Sequence, residues 1–504
     1  MRKITAQGMR LVDEQGREHI LRGVNLKCDP DLSKKITPMD KLGWLDEAFF
    51  KRSKELGFRL LRLGLGWAYY EPEPGRYDES ILQEVDRIFD MAARTGIYVF
   101  FDMHQDLYST FAPAGEEGTG NGAPLWACLT DGRKRGKTRK VWAEGYFWDK
   151  AVHNCFTNFW NNATVPETGK GLQDHYAELW QMLARRYGDS PALFGFDLMN
   201  EPHPGKLGGR IFRALVAKGI RVFAVSPSVK RVRFLKAALQ KDGYMLDHAM
   251  NRESMREITS GEATALTREF ETELYAPFVA RMTKAIREIT PNGLIIVEQN
   301  YFANFGVVPN FVLPEGEQVL YTPHAYDFTV DTPAYEFASS ERAGFMYDQY
   351  RVAQKRMGIP ALVGEWGGGG EGESFFPHIK FLMDKFDSYN WGNTYFTYSD
   401  GFYDKPIIRV ISRPHPMAVN GVLQCFHVVE KKNIFLMKYE PSDQDLYTEI
   451  YLPNGYESVD AGEGAEILME GNVLKIKTRA GRIVVKYKDR PIKEENDDEV
   501  PKNC

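Results

Sequence analysis

The chain of 504 residues predicts an α/β fold in which a (β/α)8 TIM barrel is followed by a small C-terminal antiparallel β-sandwich. Eight short apolar segments alternate with segments of helical spacing between about residues 20 and 402, as in a parallel sheet with crossover helices. Most of these segments are uninterrupted apolar runs, which is typical of strands buried on both faces. A count of eight favours a closed barrel over an open sheet.

The predicted elements follow one another in a regular order. A hairpin over residues 9–12 and 19–24 leads into the first core strand, and a helix over residues 77–95 ends at Gly96, a residue suited to the position just after a helix. The remaining helices are expected at residues 45–56, 172–187 and 267–289. The eight predicted strands are residues 20–25, 58–65, 97–102, 193–199, 293–298, 318–323, 361–365 and 392–397.

Two long insertions interrupt this rhythm, over residues 108–156 and roughly 204–262. Within the second, residues 206–241 contain ten Lys or Arg and no Asp or Glu, with apolar residues between them. Two interpretations stay open. The segment is a solvated helical insertion, or it is a basic amphipathic surface that makes transient contact with an anionic membrane.

The pattern changes after about residue 411, where six short alternating segments are separated by turn residues and predict the sandwich. We therefore expect three regions. Residues 1–410 form the barrel with the N-terminal hairpin and both insertions, residues 411–490 form the sandwich, and residues 491–504 form a frayed, charged tail.

Composition excludes several classes of function. The net charge of −5 gives no support to a nucleic-acid binder, and no apolar run is long enough for a transmembrane helix. The five cysteines are scattered without a C-x-x-C pair, so neither a zinc site nor a redox motif is predicted, and we expect no metal and no cofactor. The first residues lack the apolar core of a signal peptide, which indicates a cytoplasmic protein, or a secreted one whose leader has been removed.

Catalytic groups of such barrels lie at the carboxyl ends of the strands. The fourth strand ends in Asn200 and Glu201 and the seventh in Glu365, so two carboxylates are expected to face each other across the barrel mouth. Glycoside hydrolysis needs such a pair, because one group protonates the leaving oxygen while the other attacks the anomeric carbon. A single strand-end glutamate would more often belong to a structural ion pair. Other polar or aromatic residues near strand ends, which we expect to bind the substrate together with Asn200, are Arg62, Asp102, His104, Asp106, His324, Tyr326, Trp391 and Tyr398.

The ordered set of Arg62, His104, Asn200-Glu201-Pro202, His324, Tyr326 and Glu365 resembles glycoside hydrolase family 5. The resemblance implies a retaining mechanism with Glu201 as the acid/base and Glu365 as the nucleophile. It also implies that Asn200 hydrogen-bonds to the sugar 2-hydroxyl. By the same resemblance Arg62 and Tyr326 orient Glu365, and His324 lies near Glu201.

A narrower resemblance is to the endoglycoceramidases and related glycolipid β-glucosidases of that family. It rests on residues 102–106, 120–124 with Trp126, 196–202 and 413–416. It implies cleavage of the β-glucosyl bond between sugar and ceramide in a glycolipid substrate. Asp102 belongs to the first of these segments, and His104, Asp106 and Trp126 would contact the glucose next to the lipid. The candidates for the apolar groove that a lipid needs are the apolar residues of the basic segment 206–241 and five residues after the third strand: Tyr108, Phe111, Leu125, Trp142 and Phe147.

Two positions depart from the family pattern. The eighth strand of the family usually supplies a Trp as a sugar platform, for which Trp391 and Tyr398 are the alternatives here. A family Lys after the first strand corresponds to Lys27, Lys34 or Lys35. The alternative functions are a soluble β-glucan or mannan endohydrolase, a sterol β-glucosidase, and a non-catalytic carbohydrate-binding protein.

Overall fold

Three groups of strands organise the computed structural model, which describes residues 1–31, 34–110, 120–136, 142–225, 232, 250–330, 335, 338–368 and 372–488. The first group is β1 (Ile4–Gln7), β2 (Arg10–Asp13) and β3 (Glu18–His19). The second is β4 (Arg22–Lys27), β5 (Leu60–Leu65), β6 (Tyr98–Met103), β7 (Leu193–Asp197), β8 (Leu294–Val297), β9 (Val319–Tyr321), β10 (Leu362–Val363) and β11 (Gly392–Tyr395). The third is β12 (His415–Val419), β13 (Gly421–Val429), β14 (Ile434–Pro441), β15 (Thr448–Tyr451), β16 (Tyr456–Asp460), β17 (Glu466–Glu470), β18 (Val473–Lys477) and β19 (Arg482–Tyr487).

Strands β4 to β11 form the barrel. They pair in parallel in the order in which they follow one another, β11 pairs with β4, and a parallel bridge between Tyr321 and Ala361 joins β9 to β10. Every residue of β5 and β6 is buried, because the barrel interior covers one face and helices cover the other. All eight predicted strands are present, so the predicted fold class is confirmed.

Helices occupy the connections between the barrel strands. The helix α4 shows why they form where they do: the side chain of Asp78 accepts hydrogen bonds from the first turn, a stripe of apolar residues faces the barrel, and Gly96 ends the helix with φ of +80°. The helices are α1 (Pro38–Gly43), α2 (Glu47–Glu55), α3 (Trp67–Tyr70), α4 (Glu79–Thr95), α5 (Gly145–Trp148), α6 (Lys150–Trp160), α7 (Leu172–Tyr187), α8 (Lys206–Val225), α9 (Arg252–Ile258), α10 (Glu262–Phe270), α11 (Ala276–Arg287), α12 (Ser340–Met357), α13 (Phe376–Ser388) and α14 (Ile408–Ile411).

The basic insertion is a helix as far as it is described. Residues 206–225 form α8, whereas residues 226–231 and 233–241 lie outside the described residues. Of the helices that the structure describes, none is both long enough and apolar enough to cross a bilayer.

The strands β12 to β19 form two antiparallel sheets that share one apolar core. One sheet has the order β13-β14-β19-β16, and the other has the order β1-β2-β3-β12-β15-β18-β17. Phe426 and Phe435 from the first sheet pack with Ile450 and Leu474 from the second, which is the arrangement of a sandwich.

The N-terminal hairpin, which we expected with the barrel, pairs with the second of these sheets. Ala418 and Val419 of β12 lie opposite His19 and Glu18 of β3, and the Glu18 carboxylate accepts a hydrogen bond from the backbone N–H of Leu423 at 2.8 Å. The hairpin therefore extends the sandwich and leads into the barrel only at β4. The boundary at residue 410 stays a prediction, and the expected tail, residues 491–504, lies outside the described residues.

Candidate active site

A cavity of about 510 Å³ lies at the carboxyl ends of the barrel strands. Its lining combines polar side chains with aromatic rings, so the cavity is amphipathic. The polar lining residues are Lys27, His104, Asp106, Glu144, Asn200, Glu201, Asn304, Asp327 and Glu365. The aromatic lining residues are Trp142, Phe147, Trp148, Tyr301, Phe305, Tyr326, Phe328 and Phe396.

Arg62, in β5, is buried next to the polar residues of the cavity and contacts residues from several strands. Four carboxylates from or just after four different strands contact its guanidinium, and two amide oxygens complete its surroundings. Burial alone would lower the pKa of Arg62, but these carboxylates hold that pKa well above its usual range. The partners of Arg62 are Asn25 (3.1 Å), Asp102 (2.9 Å), Asp197 (3.3 Å), Asn200 (2.9 Å), Glu298 (2.7 Å) and Glu365.

Glu298 is a buried member of this network that the sequence reasoning did not select. Its Oε1 accepts from Arg62 and lies 3.2 Å from Nε2 of His324, while its Oε2 accepts from the backbone N–H of Glu201 at 2.7 Å. Burial favours the neutral form of Glu298, but the charges of His324 and Arg62 outweigh burial and lower its pKa to about 2. The sequence could have indicated Glu298, because it is the polar residue that ends the fifth predicted strand.

His324 lies between the two glutamates that the sequence singled out. Its Nδ1 atom is 3.5 Å from Oε1 of Glu201 and 3.8 Å from Oε2 of Glu365, so those two oxygens can be no further apart than these distances combined. Burial would lower the pKa of His324, but the charges of Glu298 and Glu365 raise it to about 10. The side chain is therefore an imidazolium at neutral pH, next to both carboxyl groups.

Glu201 stands in a strained and buried position. Its backbone φ of +39° lies in the left-handed region, which residues other than glycine rarely adopt. Such backbone strain is often found at functional sites. Burial raises the pKa of Glu201 above its usual value, against the opposing charge of His324, and the nearby Glu365 and Glu298 raise it further. A carboxyl group with a raised pKa can serve as a proton donor at neutral pH.

Asn304 contacts Glu201 and was not predicted. Its Nδ2 donates to Oε1 of Glu201 at 2.8 Å, while its own Oδ1 accepts from Gln299 at 3.0 Å and from Tyr350 at 3.3 Å. These two donors fix which way the amide of Asn304 points. The residue lies in the short 3-10 helix Tyr301–Phe305 after β8, where no sequence periodicity marks a site.

Glu365 is held by donors on both of its oxygens. Arg62 donates to Oε1, and the Tyr326 hydroxyl donates to Oε2 at 3.3 Å. Nδ1 of His104 lies 3.9 Å from Oε1. The structure thus brings together the residues that the sequence placed around Glu365.

A second polar group lines the cavity beside Asn200. Nδ1 of His104 lies 2.6 Å from Asp102, its Nε2 lies 3.5 Å from Asp106, and the ammonium of Lys27 lies 2.5 Å from Asp106. Burial opposes the charged form of His104, but both aspartates raise its pKa well above the usual value. Of the three candidate lysines only Lys27 lines the cavity, since Lys34 pairs with Asp31 on the surface and Lys35 is exposed.

Three groups of His, Asp and Glu in the described chain lie close enough to share an ion, and two of them involve His104. Each group already contacts a cation of the protein. Lys27 contacts Asp29 and Asp106 in one group, and Arg62 contacts carboxylates in the other two. We therefore still expect no metal at this site.

Six predicted substrate-binding residues do not line the cavity among the described residues. Arg62, Asp102 and His324 are buried next to residues that do line it, and three aromatic residues lie elsewhere. Trp391 precedes β11, so it lies at the opposite end of the barrel, where its indole donates to Gln354 at 3.0 Å. The Tyr398 ring packs at 4.7 Å against Phe49, and the Trp126 ring packs at 5.1 Å against Trp67. The aromatic residue after β11 that does line the cavity is Phe396, and its ring lies 6.4 Å from that of Tyr326.

The candidates for an apolar groove also divide. Trp142 and Phe147 line the cavity, whereas Tyr108 is buried against Phe156 and Leu125 is exposed away from the cavity lining. Phe111 lies outside the described residues. The other aromatic residues of the lining had not been selected: Trp148 belongs to the first insertion, Tyr301 and Phe305 follow β8, and Phe328 follows β9.

Comparisons with known proteins agree with this arrangement. An endoglycoceramidase of Cyanea nozakii is 30% identical over 221 residues, which are 40% of this chain and 42% of that protein. A glucosylceramidase of Cryptococcus neoformans var. grubii is 28% identical over 259 residues, which are 41% of this chain and 34% of that protein. The chain thus matches about two fifths or less of the length of these curated relatives.

The fold is shared with a solved structure. Endo-glycoceramidase II from Rhodococcus sp., solved as a ganglioside GM3 complex, has a TM-score of 0.69 and 22% identity, covering 96% of this chain and 100% of that one. The family model for cellulase, glycosyl hydrolase family 5, matches residues 12–221 and 247–401. Because these residues are most of the chain and include both glutamates, the chain belongs to glycosyl hydrolase family 5.

Proposed function

We propose that the chain is a retaining β-glycosidase that cleaves the β-glucosyl bond between sugar and ceramide in glycosphingolipids. The observation that carries this proposal is the amphipathic cavity, whose lining combines carboxylates and other polar groups with aromatic rings. A sugar needs convergent hydrogen-bonding groups, and the lipid next to it needs an apolar surface. The names of the relatives, endoglycoceramidase and glucosylceramidase, support the same substrate class.

In the proposed reaction, Glu365 attacks the anomeric carbon while Glu201 protonates the departing ceramide oxygen. Water, deprotonated by Glu201, then releases the sugar from Glu365 with retained configuration. Both carboxyl groups lie next to one atom of His324, as a joint attack on one bond requires, and membership of glycosyl hydrolase family 5 supports the retaining assignment.

The surroundings of Glu201 suit a general acid. Burial raises its pKa, which favours the protonated form that a general acid needs. Both neighbouring donors, Asn304 and His324, face Oε1. We therefore place the transferable proton on Oε2 of Glu201, the oxygen that these donors leave open.

The sugar is expected to bind the polar residues of the cavity. Asn200 is pre-oriented, because its Oδ1 accepts from Arg62 at 2.9 Å and its Nδ2 donates to the backbone of Gln105 at 3.0 Å. Together with His104 and Asp106 it lines the cavity with polar groups. The ceramide would then lie against the aromatic rings.

The test is to incubate the protein in detergent with glucosylceramide, lactosylceramide, a sterol β-glucoside and a soluble β-glucan, and to identify products by mass spectrometry. We expect an intact sugar and free ceramide from a sphingolipid. The matched control is the Glu365→Gln variant, which should keep the fold and lose turnover. Shortened glucan chains with untouched lipids would contradict the ceramide assignment, and no product from any substrate would contradict the enzymatic one.

A further inference from the structure

The outer face of α8 carries positive charge without any acidic residue on the helix. Lys206–Val225 contains five Lys or Arg and no Asp or Glu, although the whole chain has a net charge of −5. Arg210, Arg213 and Arg221 are exposed, and among the described residues none of them takes part in an ion pair. Their charge is therefore available to a partner.

Apolar side chains are exposed on the same face as these arginines. Val216 is 44% exposed and Ile220 is 63% exposed. Their spacing from Arg213 and Arg221 puts all four on one side of the helix, opposite Ile211 and Leu215, which are buried against α9 and α10. A solvated surface helix has no need for exposed β-branched residues between arginines, whereas an interfacial helix combines the two.

The same helix packs directly on the wall of the cavity. The ring of Phe212 stacks at 4.5 Å on Phe147 and meets Trp148 at 5.5 Å, and both of these partners line the cavity. Trp148 is 59% exposed, so an aromatic ring connects the cavity with the surface beside α8. Trp is favoured where an apolar surface meets water, as at a membrane interface.

We propose that the outer face of α8, with Trp148 beside it, docks on the surface of a bilayer that contains anionic lipids. Arg210, Arg213 and Arg221 would face the lipid phosphates, while Val216 and Ile220 reach into the headgroup region. The aromatic residues of the cavity would then lie close to the membrane from which a ceramide has to be drawn. This inference rests on the proposed function, because glycosphingolipids reside in such membranes, but its test needs no substrate.

The test measures binding of the full chain to vesicles of phosphatidylcholine alone and of phosphatidylcholine mixed with phosphatidylglycerol, by flotation. We expect binding to the anionic vesicles that weakens with added salt. The triple variant R210Q/R213Q/R221Q should bind them about tenfold more weakly or worse. The matched control K51Q/K54Q/R94Q removes as many exposed charges from α2 and α4 and should bind like the unaltered chain.

The apolar part is tested separately with V216S/I220S, which should weaken the binding that remains at high salt. Activity on a soluble aryl β-glucoside should be equal in all these variants, which shows that each is folded. Absence of vesicle binding by the unaltered chain, equal loss in the triple variant and its control, or binding to a nucleic acid alone would overturn the inference. Vesicle binding without hydrolysis of any glycolipid would leave the inference standing and contradict the proposed function.

Discussion

The carboxylate of Glu298 accepts a hydrogen bond from the backbone N–H of Glu201 at 2.7 Å. Glu201 has φ of +39°, so this bond helps to hold a backbone conformation that would otherwise be unfavourable. The other oxygen of Glu298 binds Arg62 and lies near His324. One buried carboxylate therefore positions the proposed acid and the network around the proposed nucleophile.

Glu298→Gln should reduce kcat on an aryl β-glucoside by about 100-fold, because a displacement of the acid by an ångström is enough for such a loss. The amide has to present N–H groups to one of these donors, so it cannot accept from all of them. Steady-state kinetics check this, with the half-exposed Glu449→Gln as the control. A kcat within a few-fold of the original value would show that Glu298 does not position Glu201.

The proposed division of work between the two glutamates predicts different responses to the leaving group. Glu201→Gln should lower activity on glucosylceramide by about 100-fold to 10,000-fold, since it removes general acid catalysis. The same substitution should slow the formation of the glycosyl-enzyme from a dinitrophenyl glucoside far less, because that leaving group needs no proton. Glu365→Gln should abolish activity on both.

Pre-steady-state kinetics with the two substrates separate these roles. A burst of dinitrophenol from the Glu201 variant would support its assignment as the acid/base. If the Glu201 variant lost both activities equally, or if the Glu365 variant kept a substantial rate, the two assignments would be wrong.

Much of this site could be predicted from the sequence, because the barrel fold places strand-end residues together. In a barrel, the polar residue that follows an apolar strand lies at the carboxyl face, so Glu201, His324 and Glu365 could be found from strand order alone. Asn304 could not, because it lies in a short turn and reaches Glu201 only through tertiary packing. Trp391 shows the converse: it precedes its strand, and the same rule assigns it to the other end of the barrel.

Asn304 should tune the acidity of Glu201. An N–H that donates to a carboxylate favours its charged form, so Asn304→Ala should raise the pKa of Glu201 and move the alkaline limb of kcat/KM to higher pH. We expect kcat at neutral pH to fall about tenfold, because the carboxyl group is also less well oriented. The pH profile is the decisive measurement, with Asn304→Ser as the conservative partner. A lower kcat with an unmoved alkaline limb would show a structural role alone.

His324 should make stability depend on pH at the alkaline side. Its pKa is raised from the usual 6.5 to about 10, so its contribution to folding is fully present below about pH 6.5 and is lost as pH rises through about 10. His324→Gln leaves Glu298 without one of its cations and should cost about 3–5 kcal/mol near neutral pH.

The free-energy difference between the original chain and the variant should therefore shrink as the pH is raised, measured by urea unfolding across that range. The exposed His427→Gln serves as the control and should show no such trend. A difference that stays constant, or grows with pH, would mean that His324 is not a buried cation in the folded protein.

Trp148 should separate lipid recognition from sugar recognition. It lines the cavity yet is 59% exposed, so Trp148→Ala should change stability little while removing apolar surface from the wall against which the ceramide is proposed to lie. Loss of a partly buried aromatic contact corresponds to about a tenfold higher KM for glucosylceramide. The kcat/KM for a soluble aryl β-glucoside should be unchanged, because that substrate binds the polar residues. Measuring both substrates in detergent gives the answer. An equal loss of kcat/KM for both substrates would mean that Trp148 contacts the sugar. No loss for either substrate would mean that this ring does not contact the ceramide.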